Sequence, residues 1–161
     1  MTRPLPRLLL VSSLIIAADQ LSKYVIQKTI VLHTQVEVIS HFFNITHIMN
    51  PGGAFGFFAT GSPGLRKFIF LFLSSLVALF VLWLYHRCAR EHLFLSIGLA
   101  MIFGGAVGNL IDRFRFGMVV DFLDFYIGAN HWPAFNVADS AITIGMGILF
   151  YHILFNKIPD F

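Results

Sequence analysis

The sequence predicts an all-α membrane protein: four transmembrane helices, with a small sheet between the first two. Three observations carry this. Hydrophobic residues make up 57% of the 161 residues and charged residues only 12%, against about 45–50% and roughly 25% in soluble domains. Mean hydropathy is +0.79. Nineteen Phe residues would leave a soluble chain of this length with a largely apolar surface. These values exclude a soluble globular protein and a disordered one.

A bilayer core of about 30 Å needs roughly 20 apolar residues in a helix. Leu8 to Ile26 is the first candidate span, continuously apolar to Ala18 except at Ser12 and Ser13, with Asp19 and Lys23 toward its far end. Arg3 and Arg7 before it, and Ile16-Ala17-Ala18 within it, imitate a cleavable signal peptide. With three further spans downstream, it reads as an uncleaved first helix. The second span is placed at residues 66–86, the third at 93–113 and the fourth at 136–156. The second and third have cores free of Asp, Glu, Lys and Arg from Phe68 to Tyr85 and from Leu93 to Ile111; the fourth has one from Ser140 to Asn156. All six prolines fall at ends or in loops, where a missing N–H costs no helical hydrogen bond. The whole chain, 1–161, reads as a single integral-membrane domain.

Between spans one and two, residues 27–64 include the alternating stretches Gln35-Val36-Glu37-Val38 and Phe43-Asn44-Ile45-Thr46, followed by Pro51-Gly52-Gly53. These predict short strands in a partly apolar sheet on the membrane surface. The segment from Arg113 to Pro133 mixes Asp121 and Asp124 with Phe122, Phe125, Tyr126 and Trp132, aromatics that suit the headgroup level.

Four spans put both termini on one side. The basic residues nearly balance: Arg3, Arg7, Arg87, Arg90 and Lys157 face Lys23, Lys28, Arg66, Lys67, Arg113 and Arg115. The paired N-terminal arginines and the compact Arg87–Arg90 loop favour termini inside. A net charge of +3 spread around apolar runs fits membrane-flanking residues and not a nucleic-acid-binding face. The single cysteine, Cys88, excludes an intrachain disulfide and a multi-cysteine zinc site. It lies between basic residues in a short inner loop and reads as a bystander.

Ionisable residues in or beside a span are costly and are functional candidates by default. Asp19, Asp112, Asp121, Asp124 and Asp139 all map near one membrane face, with Asn50, Asn109 and Asn136 beside them. Taken singly, each acid reads as an interfacial charge, solvated or paired with Lys23, Arg113 or Arg115, and each Asn as a helix cap or packing group. Converging, they make a carboxylate site. Like charges and poor solvation raise a carboxyl pKa, so that one acid of a pair stays protonated while the other removes a proton from water. Asn109 and Arg113, spaced i, i+4, share a helix face; Asn136 and Asp139, spaced i, i+3, do the same. Gly104 and Gly108 have the small-xxx-small spacing of close helix packing; Gly52 and Gly56 read as turn residues. Neither pair is a phosphate loop. HExxH and G-x-S-x-G motifs are missing, and the dispersed histidines, His131 among them, read as structural or interfacial.

Five ordered motifs occur together: Asp19-Gln20-x-x-Lys23; Asn50-Pro51-Gly52-Gly53-Ala54-Phe55; Gly104 through Arg113; Val119-Val120-Asp121-Phe122-Leu123-Asp124; and Phe135-Asn136-Val137-Ala138-Asp139. In them the chain resembles the lipoprotein signal peptidases (signal peptidase II), over nearly its whole length. The resemblance implies an aspartyl endopeptidase of the bacterial inner membrane. Such an enzyme removes the signal peptide of diacylglyceryl-modified prolipoproteins by cutting before the lipidated cysteine. It implies a catalytic pair, Asp121 and Asp139. Substrate-binding or supporting positions would be Asp19, Lys23, Asn50, Gly105, Asn109, Asp112, Arg113, Asn136 and Ala138. It also implies a four-helix fold with cytoplasmic termini, a periplasmic β-cradle at 27–64 and a short periplasmic helix at about Asp121–Trp132. No metal or cofactor is implied; membrane lipid and globomycin-type inhibitors are, and nothing in the sequence demands more than a monomer. The main alternative from another class is a small proton-coupled transporter or channel subunit, which would spread its ionisable groups through the depth of the bilayer. A structural scaffold using Gly104 and Gly108 leaves the acids unexplained.

Overall fold

The structure is a computed structural model, and it describes residues 4–52 and 62–155. Arg3, Gly53-Ala54-Phe55, Gly56, Asn156, Lys157 and Asp160 lie outside the described residues. In chain order the elements are α1 (Pro4–Thr29), β1 (Gln35–Ile39), β2 (Phe43–Asn50), α2 (Pro63–Cys88), α3 (Leu93–Phe116), β3 (Val119–Ile127), β4 (Asn130–His131) and α4 (Val137–Leu154). All four helices are long and apolar enough to cross a membrane.

α3 is the axle of the bundle. In its most apolar stretch 61% is buried, against 22% in each other helix. Its glycines explain this. A Cβ on Gly104 would stand 3.0 Å from the Ser12 Cα of α1, and one on Gly108 2.7 Å from the Asp19 carboxylate. A Cβ on Gly105 would collide with the Ala138 carbonyl, and Gly98 and Gly145 bring α3 and α4 together again further along. Small residues let helices approach where lipid supplies no hydrophobic drive for association. The outward faces of α1, α2 and α4 carry exposed Leu, Phe, Val and Trp side chains such as Leu10, Leu14, Phe68, Leu79, Phe80 and Ile144. The protein is a multi-pass membrane protein.

Two helix ends have a clear local cause. Ser62 caps α2 ahead of Pro63, whose missing N–H is no loss in the first turn. α3 stops at Gly117, in the left-handed region at φ 72°, where a side chain would be strained. Cys88, expected in the inner loop, is the fully buried last residue of α2. It packs with Leu8, Leu84, Tyr85, Leu95 and Leu99 into an apolar cluster at the end of the bundle that holds the α2–α3 turn. There Arg7 bonds to Ser96 and the Ala89 carbonyl, and the Tyr85 hydroxyl donates to the Pro4 carbonyl.

At the opposite end the strands form an antiparallel sheet in the order β1-β2-β3-β4. The helix expected at about Asp121–Trp132 is not there. That stretch is β3, a two-residue turn and β4. Val119-Val120 and the aromatic residues Phe122, Phe125 and Tyr126 favour a pleated strand by residue type, and β2 offers an edge whose N–H and C=O groups need partners. β3 pairs with β2 from Phe43↔Phe125 to Asn50↔Val119, with an irregularity between Ile45 and Ile48. The fold remains four membrane helices with a small sheet.

Candidate active site

Asp121 and Asp139 reach one cleft from different elements. Asp121 sits on β3 opposite Ile48, so Asn50, two residues along β2, is its diagonal neighbour on the same sheet face. Asn50 Nδ2 donates to Asp121 Oδ2 at 2.9 Å. Asp139 lies in the first turn of α4. Asn136 caps that helix by accepting from the Asp139 N–H at 2.9 Å, while the Asp139 carboxylate accepts from the Asn136 N–H at 3.3 Å. The capping reading and the functional reading of Asn136 are therefore both satisfied. Its Oδ1 caps α4, and its Nδ2 donates to Asp121 Oδ1 at 2.7 Å. Asn109 of α3 donates to Asp139 Oδ1 at 2.8 Å. Each acid is thus held by amides from other elements, and among the described residues neither forms a salt bridge.

Behind the acids lies a buried ion triad. Lys23 Nζ stands 2.8 Å from carboxylate oxygens of both Asp19 and Asp112, and all three side chains are at most 2% exposed. Lys23 also donates to Asn109 Oδ1 at 3.0 Å, which turns the amide nitrogen of Asn109 toward Asp139. The two carboxylates of the triad reach the backbone just before each acid. Asp112 Oδ2 accepts from the Val120 N–H at 3.2 Å, and Asp19 Oδ1 from the Ala138 N–H at 2.9 Å. Gln20, quoted in its motif but given no role from sequence, joins the carboxylates by donating to Asp19 and Asp112. Its signal was its place beside Asp19, but only the docking of α1 on α3 brings it to Asp112. Burying three charges is expensive unless every lone pair and proton is used, and here the backbone and Gln20 use them.

The cleft has a volume of about 1040 Å³. Asn50, Asn109, Arg113, Asp121 and Asp139 line it, along with Ile48, Ile142 and Ile144 and the run Trp132-Pro133-Ala134-Phe135. The Arg113 charge interacts with Asp139, Asp121 and Asp112, and its guanidinium lies 5.4 Å from the centre of the Phe70 ring. Gly105 and Ala138 meet across the α3–α4 contact and serve the packing beneath the cleft. Asp19, Lys23 and Asp112 likewise lie behind its wall. Burial pushes the Asp121 carboxyl up to about 7; the charge of Asp139 adds to the rise, and the Asn50 and Asn136 amides oppose it. A half-dry pair of this kind can hold one proton and activate water. Among the described residues no three His, Cys, Asp or Glu side chains form a metal-binding group.

Asp124 is apart from this site. It is 6% exposed and bonds to Asn44 and His131. The remaining candidate acids and amides gather at the sheet end of the bundle, not along its depth as a proton relay would require.

The family model for signal peptidase (SPase) II matches residues 11–155. A protein from Desulforapulum autotrophicum named lipoprotein signal peptidase is 70% identical, the match covering 99% of this chain and 98% of that one. One of the same name from Syntrophus aciditrophicus is 46% identical over 91% of each. Two solved structures described as bacterial membrane enzymes superpose with TM-scores of 0.82 and 0.80, at 33% and 34% identity, covering 93% and 91% of this chain and 88% and 92% of theirs. A polar layer confined to one end of a four-helix bundle thus accompanies a family match across nearly the full length, and the transporter reading gives way: the chain belongs to the signal peptidase II family of membrane proteases.

Proposed function

We propose that this protein is an aspartyl endopeptidase, a single integral-membrane domain that removes the signal peptide from diacylglyceryl-modified prolipoproteins. The observation that carries this reading is the pair Asp121 and Asp139, held by separate amides in one cleft that also takes in the apolar flank of α4. The ionised member of the pair takes a proton from water, and the water oxygen attacks the carbonyl carbon before the lipidated cysteine. The protonated member donates to the carbonyl oxygen. Collapse of the tetrahedral intermediate returns a proton to the leaving amine. The proton belongs to the pair, and Arg113 is placed to steady the developing negative charge. Asn50, Asn109 and Asn136 orient the acids, and Asp19, Lys23 and Asp112 position the backbone on which they sit.

A cut beside a lipid-anchored cysteine needs a site open to both water and lipid. The sheet on one side and the exposed apolar faces of the helices on the other supply both. Arg7, Arg87 and Arg90 at the opposite end favour cytoplasmic termini and a periplasmic cleft. The protein would act as a monomer, and globomycin-type inhibitors would occupy the cleft.

The test is a gel-shift cleavage assay in detergent with a diacylglyceryl-modified prolipoprotein. Wild type should cut before the modified cysteine, and folded Asp121→Asn and Asp139→Asn should be inactive. Cleavage at a normal rate by either variant would sink the dyad.

A further inference from the structure

Outside the proposed catalytic layer, the sheet carries a second chain of polar contacts that crosses all four strands. Glu37 on β1 accepts from the Tyr126 hydroxyl of β3 at 3.0 Å. The Tyr126 ring stacks on the His131 ring of β4, with centroids 4.8 Å apart and planes 9° from parallel. His131 Nδ1 lies 2.8 and 3.1 Å from the two oxygens of Asp124, and Asp124 accepts from Asn44 of β2 at 2.9 Å. A carboxylate only accepts hydrogen bonds, so Nδ1 carries the proton here, and it does so in both the neutral Nδ1–H tautomer and the imidazolium.

The position of this contact gives it a consequence. β4 is two residues long. The link that follows, Trp132 to Phe135, lines the cleft, as do Ile48, Asn50 and Pro51 of the β2 side. The link is tied by the Trp132 N–H to the Phe125 carbonyl at 2.8 Å and by the exchange between Phe135 and Leu123. Between those points stand Pro133, which has no N–H to give, and Ala134. At the start of the wall, the side-chain anchor is the contact of His131 with a carboxylate that is 94% buried and therefore cannot swing away.

We propose that His131 is a positioning residue for substrate binding, which through Asp124 holds the Trp132–Phe135 wall at its working distance from the β2 wall. The inference rests on the peptidase reading of the cleft. His131 acts on the width of the cleft and not on the reacting atoms, so its loss should weaken binding and leave the chemical step intact.

The experiment measures kcat and KM for cleavage of a diacylglyceryl-modified prolipoprotein by wild type, His131→Ala, His131→Asn, Asp124→Asn and the double variant His131→Ala/Asp124→Asn, with Asp139→Asn as the inactive control. The His131 side chain is 46% exposed, so its variants should fold, and thermal melting in detergent verifies this. His131→Ala should raise KM about tenfold with kcat within about twofold, the loss of one charge-assisted hydrogen bond. His131→Asn, which keeps a donor near the Nδ1 position, should recover much of that. Asp124→Asn should resemble His131→Ala, and the double variant should be no worse than the poorer single one. Wild-type KM in His131→Ala, a fall in kcat at constant KM, or additive losses in the double variant would each overturn the proposal. A wild-type protein that does not cut would instead overturn the peptidase reading beneath it.

Discussion

The two ends of the helix bundle solve the same packing problem with opposite materials. At the α2–α3 turn, Leu8, Leu84, Leu95 and Leu99 close around Tyr85 and Cys88, with side-chain ties from Arg7, Tyr85 and Ser96. At the sheet end, Asp19, Lys23, Asp112 and Asp121 are buried together with Asn109 and Asn136, and Gln20 and Asn50 are half-buried beside them. An apolar plug would hold that end together without the cost of desolvating charge. The polar end thus marks where chemistry, and not packing, set the choice of residues. On the proposed mechanism the two acids must be buried enough to share a proton, so their backbone has to be fixed by partners that are themselves buried.

The comparison can be broken from its strongest side first. Asp121→Asn and Asp139→Asn should each lower cleavage by at least about 10³-fold without loss of the folded state, since Asn keeps the size and removes the titration. The same pair sets a pH signature. With Asp121 raised to about 7, kcat/KM should fall as pH rises through that value and the pair loses its last proton. The linkage has a fixed sign: the folded state binds this proton more tightly than the unfolded chain. That stabilisation is complete below the ordinary carboxylate value of 3.8 and is lost as pH rises through about 7. Melting in detergent followed from pH 4 to 8 should show a decline that Asp121→Asn lacks.

Lys23→Met comes next. It leaves Asp19 and Asp112 buried without their counter-ion and should cost about 3–5 kcal/mol, with activity lost along with thermal stability. Unchanged melting would mean that the triad is not what holds the polar end. Gly105→Ala should be milder, costing about 1–3 kcal/mol and reducing kcat several-fold, because the new methyl meets the Ala138 carbonyl beside Asp139. The smallest effect on cleavage belongs to the other end. Leu99→Ala in the apolar cluster should lower stability by about 2–5 kcal/mol yet leave kcat and KM within about twofold below its melting point. A large change in kcat for Leu99→Ala would erase the distinction between the ends.

Much of this was legible before any fold was seen. The four spans follow from runs of apolar residues, because a bilayer imposes a length and a composition on any helix that crosses it. The acids stood out because charge in such runs is rare and costly. β1 and β2 announced themselves by alternation. β3 did not: its run of Asp and aromatic side chains suits a helix at the membrane surface as well as a strand, and what decided it was the open edge of β2. Asn136 could be read as a cap or as a ligand of the acids, and only the folded chain shows one amide group doing both. Lys23 and Arg113 illustrate the same limit, since spacing put both near the site but could not separate the buried counter-ion from the cleft-lining cation.

The sequence by itself therefore determined the membrane class, the number of spans and the family, because each rests on composition, periodicity or motifs of residues close together in the chain. Tertiary structure alone decided which residue holds which. Asp19 reaches the Ala138 N–H, 119 positions away, Gln20 reaches Asp112 across 92, and Asn44 reaches Asp124 across 80. Such contacts depend on helix approach distances set by glycines and on strand register, and these take their values only when the separate segments pack together.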